Sequence, residues 1–396
     1  MKYIKYSIRS KISYTDLLYA VIIAAVFQPI SFNRIPILKI LYNIARVTSF
    51  VVVVKLYFND KKRISHFVFG QAVFWIIWLV LTVLYSFDIK DILQLITKAV
   101  LCMTTTMLYE VMIQKNVNKT IDIFCFVFSL YTYINLGLRV IVPDLFVLRQ
   151  TYLLGAKNAA ACFMILYLLF QMLKEIHRYK KIGARCVLAS FLVAITGSLL
   201  ESETTRNIGL LALILVLFKM VYKRQYLKYI YPIILQLGLF FVVVLYRLQN
   251  VLIKNMGIYS NFSSRDLFTF TGRTFIWDEA LKLFKKRPFV GYGIYKAGSE
   301  HIRIWGARVY AHNEIMELLV DGGVCLLIIY ILLFFMPAGK IKKYSDSNIA
   351  FALILSLLLY ALDAVFEAPI FIYTQVIFLI LAVADSVPVI LEPVKK

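Results

Sequence analysis

Histidine is scarce in this 396-residue chain, occurring only at His66, His177, His301 and His312. His312 stands apart because Asn313-Glu314 follows it and opens an apolar run. Asn313 is a good N-cap, and Glu314 suits a first helical turn. A helix N-terminus disfavours a charged imidazole beside it, so His312 would be a neutral ring, the form a general base requires. Alone, it reads equally as an interfacial histidine without chemistry. Cations supply the other half of a candidate site. Arg206 sits in Thr204-Thr205-Arg206-Asn207, Lys157-Asn158 opens another apolar run, and Arg273 follows Gly272 at the start of a helical pattern. Backbone N–H groups at a helix start, together with a guanidinium, can hold phosphate oxygens.

The elements that must position these groups follow from composition. The chain is 61% hydrophobic and 17% charged, with mean hydropathy +0.78. A soluble domain is about 45–50% apolar and about 25% charged, so an ordinary soluble protein is excluded. The expected fold is all-α, one polytopic membrane domain over residues 1–396. Twelve stretches approach the length of about 20 apolar residues that a spanning helix needs: 14–31, 35–58, 67–87, 89–113, 120–141, 158–173, 186–200, 207–222, 229–248, 313–336, 348–362 and 369–391. The first reads as a signal anchor, with no clear cleavage site. The net charge of +22 raises the question of nucleic acid, but the basic residues sit where topology wants them. With the N-terminus inside, clusters such as Lys61-Lys62-Arg63, Lys174 to Arg185 and Lys340 to Lys343 fall inside. The short outer loops hold only Arg34, Lys90, Arg149, Lys157 and Arg206. That asymmetry satisfies the positive-inside rule and makes both termini cytoplasmic. No nucleic-acid partner is expected. The five cysteines lie in apolar stretches without a C-x-x-C pair and read as packing.

One outer segment breaks the charge pattern. The loop of about 249–312, between the ninth and tenth spans, carries many basic residues, among them Arg265, Arg273, Lys285, Lys286 and Arg287. Long loops translocate largely regardless of charge. The charge reads either as a solvated face or as an outward-facing site for an anionic substrate. Within it, Thr271 to Pro288 predicts a basic amphipathic helix with Phe275, Ile276, Ala280, Leu283 and Phe284 on one face. Such a helix would lie along the membrane interface. Pro288 ends it, and Gly291-Tyr292-Gly293 supplies a turn. Charges within apolar runs add candidates. Glu317 and Asp321 continue down the tenth span, and intramembrane acids are functional by default. Lys39 and Arg139, near the outer side, extend the cationic rim, while Lys98, Glu110, Asp363, Glu367 and Asp385 remain unsorted between pairing and function. There is no G-x-x-x-x-G-K-[ST] loop, no D-x-D and no metal-ligand cluster, so neither a cofactor nor a metal is expected.

The order of these residues is familiar: Asn158 opening a span, Thr205-Arg206 opening a later one, Gly272-Arg273-x-x-x-Trp277, Pro288-x-x-Gly291-x-Gly293, His312-Asn313, then Gly322-Gly323. This resembles the O-antigen ligase and polysaccharide polymerase superfamily, bacterial membrane glycosyltransferases of the inverting C-type. The resemblance covers most of the chain in topology, and its specific residues lie within about 158–323. It implies transfer of a glycan from an undecaprenyl diphosphate donor to a sugar hydroxyl at the outer face of the cytoplasmic membrane, without nucleotide sugar or metal. Arg206 and Arg273 match the arginines expected to hold the diphosphate, and His312 matches the base. These three are the candidate catalytic residues. Lys157, Asn158, Arg287, Asn313, Glu317, Lys39 and Arg139 are candidate substrate-binding residues. Two features depart from the pattern. Glu201-Ser202-Glu203 puts negative charge before Arg206, and the loop is of modest length, which favours a repeat-unit polymerase for capsule, exopolysaccharide or O-antigen over a ligase. A flippase and a chain-length regulator are the partners such a polymerase would have. A lipid-linked oligosaccharide flippase is the main rival reading, kept open by Lys39, Arg46 and Lys98, although transporters favour midplane sites and internal repeats.

Overall fold

The computed structural model describes residues 13–60, 63–85, 88–142, 151–222, 226–248, 273–294, 303–304 and 307–392. His301, Gly272 and most of the 249–312 loop lie outside the described residues. In chain order the helices are α1 (Tyr14–Val26), α2 (Pro36–Asp60), α3 (His66–Tyr85), α4 (Ile89–Lys115), α5 (Val117–Ile141), α6 (Ala160–Tyr179), α7 (Ala184–Leu199), α8 (Glu203–Tyr222) and α9 (Pro232–Leu239). Then follow α10 (Arg273–Lys286), α11 (Glu314–Lys343), α12 (Asn348–Phe366), α13 (Pro369–Ile372), α14 (Gln375–Asp385) and α15 (Val387–Leu391). Two antiparallel pairs of two-residue strands, Thr151–Tyr152 with Gly155–Ala156 and Arg303–Ile304 with Ala307–Arg308, are the only β-structure among the described residues.

Lipid cannot hydrogen-bond exposed backbone, so apolar chain there must be helical and its ends must be capped. Ser13 and Asp16 form a capping box on α1, and Asp88, Asn116, Asn313 and Ser347 cap α4, α5, α11 and α12. Eight described helices are long and apolar enough to cross a membrane: α2 to α6, α8, α11 and α12. The segments Tyr14–Val26, Ala184–Leu199, Pro232–Leu245 and Gln375–Asp385 are apolar but shorter. The chain is thus a polytopic helical membrane protein in which eight of the twelve expected stretches have full spanning length. The innermost helices are α6, α12 and α14, buried almost throughout. α2 is the opposite case: it packs on α1 and α4 and turns Ile37, Ile44 and Val51 outward. Four cysteines are buried as expected, but Cys325 is exposed on α11.

A break in α11 fixes the rest. At Gly323 the backbone turns to φ 62° and ψ −162°, and Pro288–Gly293 docks edge-on into the gap. Tyr292 and Gly293 N–H donate to the Val320 and Asp321 carbonyls at 3.0 and 2.8 Å, while Val324 and Cys325 N–H donate to the Pro288 and Phe289 carbonyls at 2.8 and 3.2 Å. The loop therefore satisfies backbone groups that the break would otherwise leave unpaired. Gly291 and Gly323 make the approach possible. A Cβ on Gly323 would lie 2.3 Å from the Phe289 carbonyl carbon, and one on Gly291 would lie 2.5 Å from the Val320 oxygen. One residue on, Ile294 N–H donates to Thr82 Oγ1 of α3 at 2.9 Å.

Candidate active site

The docked loop holds α10 against the start of α11. α10 forms where the periodicity predicts a helix and stops before Pro288. Its buried face is Thr274, Ile276, Trp277, Ala280 and Leu283, whereas Phe275 is exposed, contrary to expectation. Trp277 is fully buried, and its indole N–H donates to the Ala311 carbonyl at 3.0 Å. That bond anchors the residue before His312. His312 itself has φ 48°, a left-handed conformation that is uncommon for residues other than glycine and that clusters at functional sites.

The group that gathers the site is Glu367, just past the end of α12. Its side chain is only 3% exposed. Oε1 accepts from Arg273 at 2.7 Å and from Asn158 Nδ2 at 2.8 Å. Oε2 accepts from the Tyr310 hydroxyl at 3.1 Å and meets His312 Nδ1 at 3.2 Å. A carboxylate has about four lone-pair sites, and here four partners occupy them. Burial alone would raise the pKa of Glu367, but the hydrogen bond to His312, with the Arg273 charge and the Asn158 hydrogen bond, holds it below the usual carboxylate value. An ionised carboxylate only accepts, so Nδ1 of His312 carries a proton, and in the neutral ring Nε2 is then the nitrogen with the free lone pair. The Tyr310 ring lies on the imidazole, with centroids 3.8 Å apart. Burial, and then Glu367, push the Tyr310 hydroxyl pKa up, so it remains a donor.

A second chain of contacts brings in the starts of α6 and α8. Asn158 lies in the 3₁₀ turn Lys157–Ala159 that leads into α6. The preceding hairpin is tied down by Tyr373, whose hydroxyl donates to the Leu154 carbonyl at 2.6 Å, and by Ser31, whose hydroxyl donates to the Leu153 carbonyl at 2.9 Å. Asn158 Oδ1 accepts from the buried Ser202 hydroxyl at 3.2 Å, and Ser202 pairs with Thr205 at 2.8 Å. Arg206 is the next residue. Its backbone sits against Gly197 of α7, where a Cβ would come within 2.1 Å of Arg206 N. The Arg206 side chain is exposed and has no side-chain partner among the described residues.

The sequence-predicted residues therefore separate into groups. Arg273, His312 and Asn158 share one carboxylate, and Arg206 is linked to them through Thr205 and Ser202. Lys157 is half-buried beside Asn158. Asn313 is committed to structure, capping α11 by accepting from Met316 N at 2.9 Å and donating to the Val365 carbonyl at 2.9 Å. Glu317 is likewise used internally, accepting from Ala311 N–H. Arg287 lies between the rings of Tyr85 and Tyr292, at 5.1 and 4.9 Å from their centroids. Arg139 donates to the Leu199 carbonyl at the end of α7 at 2.8 Å and approaches Glu201 at 3.9 Å, so Glu201 is directed at Arg139. Lys39 is exposed on the peripheral α2. Tyr310 and Ser202 carry no signal in the sequence, and Glu367 carries only a weak one. That signal is an acid closing an apolar run, a turn beyond Asp363.

Residues 188–331 match the O-antigen ligase family. The match runs from α7 into α11 and contains Arg206, Arg273, Trp277, the Gly291 turn and His312. It bears out the superfamily resemblance carried by those residues and supports a glycosyltransferase-like enzyme acting on lipid-linked glycans in a bilayer. Asn158 and Glu367 lie outside the family match. No curated protein matches the chain.

Proposed function

We propose that this protein joins undecaprenyl diphosphate-linked oligosaccharide repeat units into a surface polysaccharide, by metal-independent inverting transfer at the outer face of the cytoplasmic membrane. The observation that carries the reading is the single buried carboxylate of Glu367 shared by His312 and Arg273. His312 Nε2 takes the proton of the acceptor hydroxyl while Glu367 holds the ring by Nδ1. The acceptor oxygen bonds to the anomeric carbon, the bond from that carbon to the phosphate oxygen breaks, and the lipid diphosphate departs with the bonding pair. Arg273 spends one N–H on Glu367 and has further donors for phosphate oxygens. Arg206, exposed at the same end of the bundle, is the second clamp. Positioning and fixed positive charge then supply most of the rate, because the leaving group is already good.

In this reading the chain crosses the membrane twelve times. Both termini are cytoplasmic, and the Glu367 cluster faces outward. Flippase and chain-length regulator are its expected partners. Ligation of the glycan to a different acceptor is the second reading, favoured by the family that residues 188–331 match. The test is elongation of lipid-linked repeat units by the purified full chain. A ladder of products that disappears in His312→Ala and Arg273→Ala, at unchanged membrane abundance, is expected. A single transfer to another acceptor without a ladder would favour the ligase. Transbilayer movement of the donor without elongation, or normal ladders in both variants, would refute the assignment.

A further inference from the structure

The opposite end of α11 carries a second feature, independent of the transfer site. α11 has 30 residues, about 45 Å if straight at 1.5 Å per residue, against a hydrocarbon core of about 30 Å. Its last turn, with Lys340, Lys342 and Lys343, therefore lies at the membrane boundary away from His312. Between that turn, the start of α9 and the flank of α12 runs an open cleft. Its walls are apolar, including Ile233, Phe334, Phe335 and Leu357. Lys228, Lys342 and Ser345 line it at the ends of their elements. A second opening adjoins it, sharing Tyr231, Phe335, Ala338 and Lys342.

An open apolar groove at a bilayer boundary is filled by acyl chain, and its polar rim selects the headgroup. Here the rim is basic. Lys342 has no side-chain partner among the described residues, whereas Lys228 reaches Asp346 at 3.0 Å and Lys340 reaches Asp385 at 2.7 Å. We infer that this cleft binds one anionic phospholipid, its acyl chain along Ile233, Phe334 and Leu357 and its phosphate at Lys342, with Lys228 and Ser345 beside it.

Native mass spectrometry of the full chain, released from vesicles of equal phosphatidylglycerol and phosphatidylcholine, tests this. Wild type is expected to retain one phosphatidylglycerol in preference to phosphatidylcholine. Lys342→Glu should lower that preference by about five-fold or more, from the usual contribution of one basic residue at an anionic surface. Ala338→Trp, which fills the cleft and leaves the lysines in place, should remove the retained lipid. Lys285→Glu on α10 should change nothing. Equal retention of both lipids by wild type, or a preference unmoved by Lys342→Glu, would overturn the assignment. So would a dimer that carries no lipid.

Discussion

Replacing Glu367 by glutamine gives the most discriminating test of the transfer site. The four partners of Glu367 divide evenly, Arg273 and Asn158 on one oxygen, Tyr310 and His312 on the other. A glutamine amide keeps one oxygen and turns the other position into a double donor. Facing the NH₂ toward Arg273 would set it against a cation and an amide NH₂, neither of which accepts there. The amide is therefore expected to face Tyr310 and His312, both able to accept. His312 Nδ1 then becomes the acceptor, the proton moves to Nε2, and the base is lost without loss of volume. The corresponding tautomer error in a serine-protease triad costs about 10⁴-fold in kcat. Glu367→Gln should accordingly lower initial elongation rates by roughly 10³–10⁴-fold while the protein remains in the membrane at wild-type abundance. Initial rates on lipid-linked repeat units measure it. A variant within ten-fold of wild type would refute the role of Glu367 in setting the tautomer, and with it the reading of His312 as a base.

Further expectations follow from the same geometry. Because the Arg206 side chain is exposed, Arg206→Ala should leave thermal unfolding in detergent unchanged and cost roughly 10²–10³ in rate, the scale of one lost anion donor. Gly323→Ala forces a Cβ onto the Phe289 carbonyl at positive φ and should destabilise by at least about 1–3 kcal/mol. Gly339→Ala, with nothing within 4 Å of its added Cβ, should be near neutral in the same assay. The folded pKa of Glu367 is depressed, so its stabilising contribution is present above the ordinary value of 4.5 and is lost as pH falls through the lower folded value. The stability gap between wild type and Glu367→Gln, followed by thermal unfolding, should narrow over that acidic window.

Local features of the fold were legible in the sequence, and long-range pairings were not. The period of Ile276, Ala280 and Leu283 together with Pro288 located α10, and Asn313 announced the start of α11, because capping and breaking act within one turn. The periodicity places Phe275 on the buried face of α10, yet it is exposed, since that face is chosen by the docking of Pro288–Gly293 into α11 and not by α10 itself. Arg273, Asn158 and His312 were recognised as individual polar residues at span ends. Their common partner Glu367 was not, because the pairing spans 55 residues to His312 and 209 to Asn158 and depends on how α6, α11 and α12 pack. No sequence pattern reveals that Asn313 also donates to the Val365 carbonyl or that Glu317 accepts from the Ala311 amide.

The ladder between Pro288–Gly293 and the break at Gly323 also has a consequence for biogenesis. A broken α11 entering the bilayer alone would carry the Val320 and Asp321 carbonyls and the Val324 and Cys325 amides unpaired, each at a cost of several kcal/mol. The favourable route is insertion as an uninterrupted helix. The kink at Gly323 then forms only when Pro288–Gly293 arrives to replace the surrendered hydrogen bonds. Maturation of the site is thus a post-insertion event, and a chain stalled before it would be threaded correctly, abundant and inert.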